Sequence, residues 1–190
     1  MLASRTLAAL ALSGFAGSLM PMALPQPAVA QGLPGLTLRW NGNEGGFKEL
    51  KYILNSGRTN ALDTWMMILP GKELDVAAIQ VSVTYPAYFA GRFDNSAVKL
   101  KLCNAGGVLA RTRCEEDVPL SSVEIDRDNG RIDFFPAKPI PAGTTVGVVF
   151  DSMINPSNPG MLQFNASIIS PGDLPLSKYV GSWLITIENN

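Results

Sequence analysis

Leu162-Gln163-Phe164-Asn165-Ala166-Ser167-Ile168 alternates apolar and polar side chains without a slip. A strand turns successive side chains to opposite faces, so this stretch has the period of a β-strand with one face buried and one wet. The same period recurs in residues 78–85, where Ile79, Val81, Val83 and Tyr85 oppose Gln80, Ser82 and Thr84. It recurs again in residues 98–103, where Val98, Leu100 and Leu102 oppose Lys99 and Lys101. Working outward, further strands are predicted over residues 36–40, 47–54, 64–69, 122–126, 131–135, 145–150 and 180–187. Turn chemistry separates them. Asp128-Asn129-Gly130 is a hairpin signal, and Pro139, Pro141, Gly143, Asn155-Pro156 and Asn158-Pro159-Gly160 mark tight connections. The chain downstream of the leader shows no helical stripe.

Nine or ten short strands at this spacing predict an all-β fold, an antiparallel immunoglobulin-like β-sandwich. An eight-stranded outer-membrane barrel alternates in the same way and stays open as the competing shape. The wet faces, with Lys99, Lys101, Gln163 and Asn165, weigh against it.

The first thirty residues read as an export signal. Arg5 supplies a short positive start, residues 6–19 carry no charge, Pro21 and Pro25 break the run, and Ala28-Val29-Ala30 spells a signal-peptidase site. A membrane anchor is the alternative, but the run falls short of the ~20 apolar residues a span needs. The expected organisation is therefore a signal peptide, 1–30, and a single sandwich domain, 31–190. Of 15 basic and 16 acidic side chains only Arg5 is lost on cleavage, which leaves a formal charge of −2. Nothing in that balance steers the domain to nucleic acid or to an anionic membrane.

Chemistry is bounded by what is missing. The chain has no histidine, so a Ser-His-Asp triad, a Cys-His dyad and histidine-based metal sites cannot form within it. Its two cysteines, Cys103 and Cys114, are expected to pair in an oxidising compartment, the alternative being two buried thiols. Pairing also removes thiolate nucleophiles and cysteine-ligated metals. Ser96-x-x-Lys99 has the spelling of a serine–lysine acyltransferase but falls at a strand, where the two side chains do not share a helix face. Asp126-x-Asp128-Asn129-Gly130-x-x-Asp133 has oxygen ligands at alternate positions, as a calcium loop does, but lacks the closing bidentate acid. It is read as a turn. Trp40, Trp65 and Trp183 are candidates for stacking on sugars, yet Trp183 shares a face with Ile185 and Ile187 and is expected in the core. Asn165-Ala166-Ser167 spells a glycosylation site inside a strand. No catalytic, cofactor-binding or metal-binding residue is assigned.

From about residue 63 to 187 the order of features resembles a family of exported, largely cyanobacterial proteins known only as a domain of unknown function. The residues that carry the resemblance are Trp65 with Pro70, Ala78-Ile79, Pro139-x-Pro141-x-Gly143-Thr144-Thr145, Asn155-Pro156, Asn158-Pro159-Gly160 and Tyr179-x-Gly181-x-Trp183. The cysteine pair departs from the family pattern. The resemblance implies a cyanobacterial source and an envelope or thylakoid-lumen setting, and it brings no catalytic residues with it.

The expected function is an exported, non-catalytic binding or structural module whose partner is a protein or glycan of the envelope or lumen. A carboxylate-based hydrolase acting on envelope glycans is the alternative, because paired acids meet in space rather than in sequence. The bridge is expected to staple a loop from Asn104 to Arg113 at one end of the sandwich. That loop holds an apolar tip beside guanidinium groups, a composition enriched at interfaces. Leu109, Arg111 and Arg113 are therefore the candidate contact residues, against the plainer reading that the bridge only tidies a hairpin.

Overall fold

In the computed structural model, which describes residues 46–104, 112–172 and 176–190, the chain folds into ten strands. They are β1 (Tyr52–Leu54), β2 (Leu62–Leu69), β3 (Gln80–Thr84), β4 (Val98–Asn104), β5 (Arg113–Asp117), β6 (Leu120–Asp126), β7 (Arg131–Pro136), β8 (Val146–Ile154), β9 (Gly160–Ile169) and β10 (Ser177–Ile187). Two five-stranded sheets result, in the orders β1-β2-β8-β4-β5 and β10-β9-β3-β7-β6, with every strand pair antiparallel. This is an all-β sandwich. Neither sheet closes on itself, which sets aside the barrel.

The core lies where the alternation puts it. Leu162, Phe164, Ala166 and Ile168 point inward from β9 and are buried, as are Trp183, Ile185 and Ile187 of β10. Trp65 of β2 meets Phe164 edge-on, ring centroids 5.7 Å apart, across the two sheets. The indole N–H of Trp183 donates to the Ile68 carbonyl at 3.1 Å, a second tie between the layers. Each such side chain gives roughly 1.5–3 kcal/mol on burial, so the tryptophans belong to the scaffold.

The structure corrects several expectations. β5 was not predicted, because its only buried residue is Cys114 and its neighbours are charged. Residues 47–54 do not form one strand. Residues 48–50 pair in parallel with β10, through Leu50 N–H to the Ser182 carbonyl and Ser182 N–H to the Lys48 carbonyl, both at 2.7 Å. The chain then crosses to the other sheet as β1. Gly181 permits that crossing, since a Cβ there would stand 2.7 Å from Leu50 Cγ. Ile79 precedes β3 and is exposed rather than inward. Residues 36–40 and the leader 1–30 lie outside the described residues.

Candidate functional site

The outer face of the β10-β9-β3-β7-β6 sheet is built from the polar half of the alternating patterns. Strand register aligns Ser167, Ser82, Asp133 and Glu124 in one row across four strands. Ser182, Asn165, Thr84, Arg131 and Asp126 align in the next row, across all five. These side chains hold one another. Asp133 Oδ1 accepts from Ser82 Oγ at 2.5 Å, from Gln80 Nε2 at 3.0 Å and from Arg131 Nε at 2.9 Å. Ser182 Oγ donates to Asn165 Oδ1 at 2.6 Å and shares a 2.6 Å hydrogen bond with the Tyr179 hydroxyl. Toward β6 the face sinks into an open depression of about 750 Å³, whose lining includes Gln80, Glu124, Asp126, Arg131, Asp133 and Phe135. Fixed polar groups around an apolar ring are a surface suited to binding.

Acids are concentrated over β5, β6 and the turn after β6. Glu115, Glu116 and Asp117 on β5, Glu124 and Asp126 on β6, and Asp128 in the turn are all exposed. With Asp133 they make seven of the chain's 16 acidic residues. Arg127 is occupied elsewhere: its Nη2 donates to the Phe93 carbonyl at 3.1 Å and to Asn95 Oδ1 at 2.6 Å, with the guanidinium 4.6 Å from the Phe93 ring.

A second polar cluster was not anticipated from sequence. Asp63 is 2% exposed. Its Oδ1 accepts from the backbone N–H groups of Asn55, Ser56 and Thr64, and its Oδ2 from those of Gly57 and the Asn155 amide, all at 2.7–2.9 Å. Burial pushes the carboxyl up, but the bonds from Asn155, Gly57, Ser56 and Thr64 outweigh it and leave the pKa below its ordinary value. The clue lay in Asn55-Ser56-Gly57, a turn that needs an acceptor, with an acid six residues after the glycine. The cluster closes a turn and leaves no lone pair facing outward for chemistry.

The other shifted carboxyls are also lowered, each first by a hydrogen bond: Glu73 by Lys48, Asp75 by Lys178, Asp94 by Ser96 and Asp126 by Asn129. A glycosidase needs the opposite, one carboxylic acid whose pKa is raised so that it can donate a proton.

Of the residues singled out from sequence, Cys103 and Cys114 form a disulfide. They sit opposite each other where β4 ends and β5 begins, on the outer face of their sheet against Gly147. Arg113 belongs to β5, not to the loop; it is exposed, its Nη1 3.9 Å from Glu115 Oε1. Leu109, Arg111 and Trp40 lie outside the described residues. Ser96 and Lys99 do not converge: Ser96 Oγ donates to Asp94, while Lys99 faces Asp151 at 3.5 Å. Asp126 spends both oxygens on Asn129, backbone N–H at 3.0 Å and side-chain amide at 2.7 Å, which makes that loop the predicted turn. Trp65 and Trp183 are buried. Among the described residues no helix is long and apolar enough to cross a membrane.

A family model described as "Protein of unknown function (DUF2808)" matches residues 42–187. None of the curated proteins matches the sequence. Among solved structures, one described as BslA, a bacterial hydrophobin, is similar at 10% identity and TM-score 0.48, over 76% of this chain and 96% of that one. The collagen-binding domain of a Staphylococcus aureus adhesin is similar at 12% identity and TM-score 0.39, over 74% and 97%. A structure of manganese lipoxygenase of Gaeumannomyces graminis with part of zonadhesin of Komagataella pastoris is similar at 17% identity and TM-score 0.47. That match covers 73% of this chain and 47% of the other, so this chain spans about half of that relative's length.

Proposed function

The chain belongs to the DUF2808 family, whose proteins are of unknown function, and on that premise we propose that it is an exported, non-catalytic binding module of the cell envelope or thylakoid lumen. One observation carries the reading: the polar side chains of the outer face are fixed by one another across neighbouring strands, from Tyr179 to Asn165 and from Gln80 to Arg131. A surface whose rotamers are already set loses little entropy when a partner arrives. The downward shift of Asp63, Glu73, Asp75, Asp94 and Asp126 favours binding over acid catalysis by these groups. The Cys103–Cys114 bridge suits an oxidising compartment, and the apolar leader before Ala30 supplies the route there.

Leu109, Arg111 and Arg113 are the residues this reading assigns to contact with a protein or glycan partner. The test begins with the full chain expressed in an exporting host, where N-terminal sequencing returns Gln31 or a residue within a few positions of it as the first. The purified domain then captures a partner, and the combined Leu109→Ala, Arg111→Ala and Arg113→Ala variant, still folded, loses it. Release of soluble fragments from envelope glycans, abolished by Glu124→Gln, would overturn the reading in favour of a hydrolase.

A further inference from the structure

The two edges of the β10-β9-β3-β7-β6 sheet are finished differently. At β10, residues 48–50 pair with Ser182, residues 57–59 pair with Glu188, and the Tyr52 hydroxyl accepts the Thr186 N–H at 3.1 Å. At β6, the opposite edge, no described residue pairs beyond the strand. Ladder geometry fixes which groups it presents. The Tyr85 N–H donates to the Gly130 carbonyl, so Gly130, Ile132 and Phe134 turn their backbone polar groups toward β3. Arg131, Asp133 and Phe135 then turn theirs toward β6, where they meet Asp126, Glu124 and Ser122. The N–H and C=O groups of Val123 and Ile125 are left pointing away from the sheet.

Side chains along this edge state what an added strand must carry. On the outer face Glu124 and Asp126 are exposed, and Asp128 follows in the turn. On the inner side Leu120, Val123 and Ile125 pack against the core but are only partly covered. A second copy of β6 would set acid against acid, which opposes self-pairing. We propose that β6 is a docking edge that accepts an extended polypeptide segment as a sixth strand, with lysine or arginine at alternate positions on the outer face and apolar residues between them. Main-chain hydrogen bonds to Val123 and Ile125 give affinity, and the alternate side chains give selectivity. The inference rests on the reading of the chain as a binding module, and it names the chemistry of one partner.

The probe is a fluorescent peptide alternating lysine and valine, as long as β6, titrated into the purified disulfide-bonded domain. Saturable binding is expected, with amide exchange at Val123 and Ile125 slowed at least tenfold and little change at Glu124 and Asp126, already in the ladder. Glu124→Lys, checked for native circular dichroism, weakens the affinity at least tenfold. The same peptide with alternate amides N-methylated does not bind. Equal binding of the methylated peptide, or unchanged exchange at Val123 and Ile125, would reduce the contact to charge attraction and overturn the proposal. Dimerisation through β6 in sedimentation would overturn it in favour of self-association. None of these outcomes touches the export, capture and glycan-release tests, so a closed edge and a failed module reading give different results.

Discussion

Asn155 donates its side-chain amide to Asp63 at 2.9 Å while accepting the indole N–H of Trp65 at 2.8 Å, and both Asp63 and Asn155 are 2% exposed. One amide thus joins a buried carboxylate to the central tryptophan. Asn155→Ala strands the indole and removes one of five bonds to the carboxylate, and the cost expected is about 3 kcal/mol, from an unsatisfied indole N–H and a lost bond to a charge. Urea unfolding with an unchanged slope measures it.

Acid should find the same place. The Asp63 carboxyl has a folded pKa below its ordinary value. Its contribution is therefore complete above the unfolded pKa, near ~4, and is lost as pH falls through the folded one. Asp63→Asn lowers stability at neutral pH and flattens the decline that sets in as pH falls below the ordinary carboxylate pKa. A decline as steep as in the parent protein would show that other carboxylates govern acid unfolding.

Gly147 lies under the disulfide, and a Cβ there would stand 2.9 Å from both Cys103 Sγ and Cys114 Sγ. Gly147→Ala should overpack the site by about 1–3 kcal/mol. Replacing both cysteines by serine costs about 2–3 kcal/mol through loss of the short loop closure. In the triple variant the glycine change should cost less than it does alone, because the smaller, unbonded hydroxyls can separate. Additive losses in a double-mutant cycle would deny the contact.

Phe164→Asp and Ile185→Asp should abolish soluble expression, since each places an unpaired charge where exposure is 0%. Gln163→Asp and Thr186→Asp should be tolerated. Comparing soluble yields of the four variants tests the assignment of faces directly.

The inward faces of β9 and β10 and the hairpin at Asp128-Asn129-Gly130 were legible because period and turn chemistry are local. β5 was not, since Arg113-Cys114-Glu115-Glu116-Asp117 is held at a sheet edge by pairing with β4 and hides no hydrophobic stripe. The crossing at residues 48–50 was equally silent, because its partner Ser182 lies over 130 residues away. The polar ladder was visible only as wet halves of strands; that Asp133, Ser82 and Gln80 meet depends on β3 and β7 being neighbours, a fact of topology.

Asp126 already bonds Asn129 through both oxygens, so calcium at the turn competes with those bonds. Added calcium and added chelator are each expected to leave the melting temperature unchanged. A rise of several degrees with calcium would assign Asp126, Asp128 and Asp133 to a cation.

The parallel pairing of residues 48–50 with Ser182 and of residues 57–59 with Glu188 has a mechanical consequence. If the chain entering at Lys48 and the chain leaving at Glu188 are pulled apart, the parallel strands slide along each other. The load then falls on the four hydrogen bonds of Lys48, Leu50, Gly57 and Thr59 together, in shear, rather than on one bond at a time as in unzipping. A domain tethered through these two ends would yield abruptly at high force, a property suited to a module held between a surface and a moving partner.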